Sequence, residues 1–219
     1  ILYTGFTEGN PQLRINGLRY GLDNWVYCAN GLSTKGTVKS AKTGKTIEVS
    51  GRDFRIRPDT GELDAQAGPS QYGRNPDNWG NWFGVDNSHP LWHYILADHY
   101  TRRNPHVSLP QSHKQLVDLS PVFPRSRLFE HYEHPVRGKL AASTCAALIY
   151  RDELLFGPGG KRQAFTCEPF HNLVLHYELT DAGVSFDGRL AEKSKIHFLA
   201  SADNWTRPVL TRTGPDGAL

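Results

Sequence analysis

No compact catalytic motif occurs in this sequence, so any chemistry has to come from scattered loop residues. The histidine best placed for acid–base work is His171, which follows Glu168-Pro169 and has Asn172 beside it. A proline ends a strand and leaves the neighbouring side chains free to face a channel. A loop histidine titrating near ~6.5 can take a hydroxyl proton as a general base; a hydrogen-bonded structural histidine is the plainer alternative. Asp203 and Arg207 place a carboxylate close in sequence to a guanidinium. Such residues can hold a calcium ion and an acidic ligand oxygen, or simply hold each other. Asp86 and Asn87 offer the oxygen atoms that calcium prefers, although Asp-Asn-Ser is also ordinary turn chemistry.

Histidine and cysteine spacing argues against a transition-metal centre. Of the 10 histidines, one group is His89, His93, His99 and His106 and another is His113, His131 and His134. Neither matches His-Glu-x-x-His or another zinc pattern. The 3 cysteines contain no Cys-x-x-Cys pair, so a structural zinc site is not expected. Cys145 and Cys167 fall in two strand-like segments, Ala146 to Tyr150 and Gln163 to Cys167, joined by the glycine-rich turn around Gly157-Pro158-Gly159-Gly160. If those strands pair, the two Cα atoms come within the ~5.5–6 Å that a disulfide needs; two buried free thiols fit equally well. Cys28 reads as a small core residue.

The 25 basic and 22 acidic side chains leave a net charge of +3 without a run of like charges, and no nucleic-acid partner is expected. No apolar stretch approaches the ~18 residues of a membrane span, and the sequence does not open with a signal-peptide layout.

The elements that must position these residues are short strands. With 21 glycines, 14 prolines and 11% aromatic residues, the composition suits many strands joined by tight turns. Leu18 to Cys28 reads as strand, tight turn, strand, with Gly21-Leu22-Asp23-Asn24 at the turn. The Gly-x-Asp pattern returns at Gly214-Pro215-Asp216-Gly217, and a looser copy spans Asp77 to Asn87. Asp53 to Arg57 alternates apolar and polar residues and pairs across Pro58-Asp59-Thr60-Gly61 with Glu62 to Ala65. Further strands are Leu91 to Leu96 and Leu173 to Leu179, the latter turning at Thr180 to Gly183 into Val184-Ser185-Phe186. A β-sandwich would also yield short strands and regular turns. The recurring Gly-x-Asp turn instead favours an all-β, partial β-propeller of about three blades, each a four-stranded antiparallel sheet, with long inserted loops. Residues 98–142, rich in His, Pro and Arg, are the expected insertion, with room for a short helix. Because the chain starts at Ile1, holds no methionine and stops just past a turn, residues 1–219 are expected to be part of one propeller domain cut at both ends. The tryptophans are expected to pack between blades.

Several segments together resemble a known family. They are Gly9-Asn10-Pro11-Gln12-Leu13-Arg14-Ile15-Asn16-Gly17-Leu18-Arg19-Tyr20-Gly21-Leu22-Asp23-Asn24-Trp25-Val26-Tyr27, Phe54-Arg55-Ile56-Arg57-Pro58-Asp59-Thr60-Gly61-Glu62, Trp79-Gly80-Asn81-Trp82-Phe83-Gly84, Cys167-Glu168-Pro169, His171-Asn172-Leu173-Val174 and Asp203-Asn204-Trp205-Thr206-Arg207-Pro208-Val209. In these the chain resembles the large secreted or membrane-associated dehydrogenase-like proteins of planctomycetes and related bacteria, whose propeller is akin to that of glucose/sorbosone dehydrogenases. The resemblance implies an extracytoplasmic bacterial protein that oxidises a sugar, polyol or other alcohol using pyrroloquinoline quinone (PQQ) and calcium. It also implies a c-type haem domain outside this chain as electron acceptor, since no Cys-x-x-Cys-His occurs here. On that reading His171 is the base, Arg207, Asn172 and Asn16 contact the cofactor, and Asp203, Asp86 and Asn87 bind calcium. The family's usual base histidine is absent: the matching stretches read Asn16-Gly17-Leu18 and Arg207-Pro208-Val209. That departure keeps a second expectation open, a non-catalytic propeller that binds carbohydrate or protein at the same mouth.

Overall fold

The computed structural model describes residues 1–104, 106, 111–119, 121–127, 140–192 and 195–219. It is nearly all β, and two four-stranded antiparallel sheets and one five-stranded sheet follow one another along the chain. The first blade is β2 (Asn16–Tyr20), β3 (Val26–Ala29), β6 (Asp53–Arg57) and β7 (Glu62–Gln66), hydrogen-bonded in that order. Between β3 and β6 the chain inserts the hairpin β4 (Thr37–Ser40) and β5 (Thr46–Glu48), and β1 (Tyr3–Thr4) joins it as a separate three-stranded sheet. The second blade is β8 (Arg74–Pro76), β9 (Trp82–Gly84), β10 (Trp92–Tyr94) and β11 (His113–Gln115). The third is β12 (Cys145–Ile149), β13 (Arg162–Glu168), β14 (Leu173–Ala182) and β15 (Ser185–Leu190), with β16 (Leu199–Ala200) pairing the start of β14.

The first strands of the three blades meet at a common axis. Asn16 on β2 donates from its side-chain amide to Gln71 O at 2.7 Å and accepts from Gly73 N at 2.8 Å. Ala146 N on β12 donates to Tyr72 O at 2.9 Å, and Asn75 on β8 donates to Ala147 O at 2.6 Å. This approach requires glycine. Gly17 has φ +63°, and a Cβ there would sit 2.4 Å from Gly73 Cα, so the β2–β8 contact cannot accommodate any larger residue without backbone movement. Partial β-propeller architecture, with inner strands around an axis and meanders running outward, is therefore the fold of the described chain.

Two different interfaces hold the blades together. Phe83, Val85 and Leu91 of the second blade bury themselves against Ala147, Ile149, Leu173, Leu175, Tyr177 and Phe186 of the third, a dry aliphatic and aromatic core. Between the first and second blades the contact is polar and aromatic: Tyr27 stacks on Trp82 at 3.8 Å between ring centroids, and buried Arg74 pairs with buried Asp53 at 3.1 Å. A third core lies within the first blade, where Val26, Cys28, Phe54, Ile56 and Leu63 pack against Val38 and Val49 of the inserted hairpin region.

The expected hairpins at Leu18 to Cys28 and Asp53 to Ala65 are present as β2–β3 and β6–β7, and the looser copy over Asp77 to Asn87 holds the turn into β9, whose partner β8 precedes it. Three readings change. The stretch 98–142 holds the short helix it had room for, α1 (Asp98–Arg103), but it also supplies β11, the fourth strand of the second blade. The last Gly-x-Asp copy is a turn without flanking strands; the 2.7 Å bond from Gly214 N to Ala218 O closes it on itself. Trp82 and Trp92 pack between or within blades, but Trp79 and Trp205 are 72% and 92% exposed. Among the described residues no helix is long and apolar enough to cross a membrane.

Candidate functional site

A cavity of about 770 Å³ opens where the chain enters the inner strands. Its wall comes from all three blades: Asn16 and Gly17 at the start of β2, Gln71 to Gly73 leading into β8, and Ala142 and Ser143 ahead of β12 with Cys145 and Ala146 at its start. Asn10 and Gln12 close one side, Asn87 from the β9–β10 connection another, and Val209, Leu210 and Arg212 from the C-terminal segment a third. Ligand pockets in proteins commonly occupy ~300–1,000 Å³, and the mouth of a propeller channel is where inward-pointing loop side chains converge.

The polar groups of this wall are sorted between structural and unengaged. Asn16 is consumed by holding β2 to the β8 approach, and Gln71 accepts from Asn87 N at 2.8 Å through Oε1. The Asn10 carbonyl oxygen of the side chain caps Gln12 N at 3.0 Å. The exposed Asn87 side-chain amide has no hydrogen-bond partner among the described residues, and Arg212 uses only one nitrogen, donating to Asn75 Oδ1 at 2.9 Å. Cys145 also lines the cavity, but burial, with the nearby Cys167 and Glu168 adding to it, pushes its thiol up to about 12; it is not a nucleophile at neutral pH. Among the described residues, the lining holds no carboxylate and no imidazole.

His171 stands behind this wall and not in it. It is fully buried, with Nδ1 at 3.0 Å from Glu168 Oε2 and its backbone N–H donating to the same oxygen at 2.7 Å. Glu168 Oε1 accepts from the backbone N–H groups of Ala142 and Ser143, each at 2.9 Å. Burial alone would raise the Glu168 carboxyl, yet the His171 hydrogen bond and charge, with the Ala142 and His171 N–H groups, hold it below the usual carboxylate range. The pair therefore staples the Ala142-Ser143 cavity wall to the β13–β14 turn. Asn172 completes that turn at φ +60°, its side-chain amide donating to Ser126 Oγ at 2.6 Å while its backbone carbonyl accepts from Ser201 N at 3.0 Å.

The remaining expected residues disperse. Arg207 donates to Pro169 O at 2.7 Å and Phe170 O at 3.2 Å, strapping the C-terminal loop onto the same turn, and it makes no ion pair with Asp203. Asp203 Oδ1 accepts from Trp205 N at 2.9 Å within its own turn. Asp86 accepts from Ser88 N and His89 N at 2.8 Å and meets His89 Nδ1 at 2.9 Å. Among the described residues no three His, Cys, Asp or Glu side chains are placed to share a metal ion. Asp86 and Asp203 each accept hydrogen bonds within their own turns, and Asn87 lies next to Asp86 at the cavity edge. His131 and His134 lie outside the described residues. Cys145 and Cys167 are directly opposite each other in the β12–β13 register and both are free thiols.

Of the expected residues, the structure brings only Asn16 and Asn87 into the cavity. Gln71, Tyr72, Ser143 and Arg212 join them without a sequence signal. The reason is β8, whose three residues Arg74-Asn75-Pro76 carry no strand propensity. Without that strand the approach segment Gln71 to Gly73 cannot be located.

A family model described as a domain of unknown function (DUF7133) matches residues 1–219. No curated protein and no solved structure matches the chain.

Proposed function

The chain belongs to the DUF7133 family, and from the site itself we propose that the propeller mouth binds a polyhydroxylated small molecule of the sugar or polyol class. The observation that carries this is the 770 Å³ cavity itself, where the exposed Asn87 amide has no partner among the described residues and faces an apolar patch of Cys145, Ala146, Val209 and Leu210. Amides both donate and accept, which suits alcohol groups that do the same. Oxidation of such a ligand, as the family resemblance implies, needs a proton acceptor beside the reacting hydroxyl. His171 is enclosed behind the wall and engaged by Glu168, so the geometry favours binding over redox chemistry by this chain's own residues.

The test is calorimetric titration of glucose and sorbitol into the protein and its Asn87→Ala variant. Asn87 is exposed and makes no side-chain hydrogen bond among the described residues, so the variant should fold normally. Loss of one ligand hydrogen bond of ~1–1.5 kcal/mol weakens binding roughly tenfold. Absence of binding by any polyol, or affinity unchanged in the variant, would reject the reading.

A further inference from the structure

Trp79 is 72% exposed, yet it is held in place. It sits in the turn after β8, where buried Asp77 accepts through Oδ1 from Trp79 N at 2.8 Å and Asn81 N at 3.0 Å, and through Oδ2 from Asn81 Nδ2 at 2.7 Å. The guanidinium of Arg162 lies 4.9 Å from the Trp79 ring and 4.4 Å from that of Phe186, and it pairs with Asp77 at 3.4 Å. An aromatic ring fixed in this way offers its free surface to a ligand with little further loss of rotamer freedom.

The ring borders a second cavity of about 500 Å³, at the opposite end of the inner strands from the mouth. Its wall combines the turn after β8 with residues 150–153 after β12, the glycine-rich loop ahead of β13 and the end of β14. Glu153 and Asp181 line it, are exposed, and have no side-chain partner among the described residues. The cations beside them are already engaged: Arg151 donates to Asn78, Lys161 to Glu178, and Arg162 pairs with Asp77. Four carboxylates and three cationic side chains share the lining, and that near balance favours a neutral ligand over a strongly charged one. A pyranose ring matches these groups. Its C–H face packs on an indole, and its hydroxyls donate to carboxylates in charge-assisted hydrogen bonds.

We propose that this second cavity binds one ring of a neutral oligosaccharide, stacked on Trp79 and hydrogen-bonded to Glu153 and Asp181. The exposure of Trp79 leaves room for the sugar chain to continue into solvent. The site shares no lining residue with the mouth, so it does not rest on the polyol reading of that cavity.

The experiment is calorimetric titration of cellohexaose, maltohexaose, xylohexaose and spermidine into wild type and into Trp79→Ala, Trp79→Tyr, Asp181→Asn and Asn87→Ala. Trp79 and Asp181 are both exposed, so their variants should fold as wild type does. At least one hexasaccharide should bind. Trp79→Ala should weaken it at least about tenfold, Trp79→Tyr should keep most of the affinity through its ring, and Asp181→Asn should weaken it roughly threefold to tenfold. Asn87→Ala, at the mouth, should leave hexasaccharide affinity unchanged, and Trp79→Ala should leave glucose titrations of the mouth unchanged. Failure of every hexasaccharide to bind, or binding indifferent to Trp79→Ala, overturns the proposal whatever Asn87→Ala does to glucose. Hexasaccharide binding lost in Asn87→Ala alone moves the sugar to the mouth and overturns it equally. Spermidine binding that Asp181→Asn abolishes, without any sugar binding, replaces the saccharide by a polyamine and also overturns it.

Discussion

Asp53→Asn should be among the most damaging single substitutions in this chain, because it removes the charge that a buried arginine depends on. Asp53 is fully buried, and its Oδ2 lies 3.1 Å from Arg74 Nη1, which is itself 3% exposed. The same carboxylate accepts from Asn30 N at 3.0 Å, Ser70 N at 2.8 Å and Ser70 Oγ at 2.6 Å. An asparagine can retain some of those bonds through its carbonyl oxygen, but it leaves the Arg74 charge with only Ala67 O at 2.8 Å and the faces of Tyr94, Trp82 and Tyr27 at 4.2, 5.2 and 5.5 Å. Breaking a buried pair from one side costs about 3–5 kcal/mol. For a domain of this size, that corresponds to a fall in Tm of roughly 6–20 °C. Urea unfolding followed by tryptophan fluorescence measures it, since Trp82 stacks on Tyr27 across the same interface. The double variant Asp53→Asn/Arg74→Met should recover a large part of the loss, because the buried charge is then gone as well. A change below about 1 kcal/mol for Asp53→Asn would refute the argument, meaning that water reaches Arg74 in the folded protein. Ligand affinity should fall with stability, since Asp53 fixes Ser70, the residue before the cavity-lining Gln71.

Two further outcomes follow from buried titratable groups. His93 is 4% exposed, with Nδ1 at 3.0 Å from Ser185 Oγ; burial above all brings it down to about 4, with Asp77 opposing and Arg162 and Lys114 assisting. Because the folded form disfavours the proton, this histidine costs no stability above its unfolded value of about 6.5 and becomes destabilising as pH falls from there towards about 4. An imidazole NMR titration locates its midpoint, and a midpoint near 6.5 would refute the assignment. The thiols of Cys28 and Cys145 are pushed up to about 12 and that of Cys167 to about 11, with burial the leading cause in each. A thiol reagent at pH 8 should therefore leave the native protein unmodified and count 3 thiols after unfolding; a count of 1 would mean that Cys145 and Cys167 are joined.

Much of the fold was legible from local sequence because strands and turns announce themselves locally. Asp53-Phe54-Arg55-Ile56-Arg57 alternates, Pro58-Asp59-Thr60-Gly61 turns, and the hairpin β6–β7 results. The same logic recovered β2–β3, β10 and β14. It failed at β8 and β11, each three residues long and drawn from Arg, Asn, Pro, His, Lys and Gln. Those strands exist because neighbouring strands and blades supply hydrogen-bond partners and packing, and propensity has little part in it.

The candidate site divides in the same way. Residue type alone marked His171, Asp86, Asp203 and Arg207 as able to do chemistry, and each has the hydrogen-bonding capacity its type promised. What that capacity is used on was settled by three-dimensional proximity: Glu168 for His171, the Pro169-Phe170 carbonyls for Arg207, and their own turns for the two aspartates. Sequence therefore determined the all-β class, most of the hairpins and the turn chemistry, since those arise from neighbours along the chain. The folded chain alone placed Asn16, Gln71, Asn87 and Arg212 around one cavity, because residues so far apart in sequence meet only when blades converge on an axis, and no local pattern encodes that convergence.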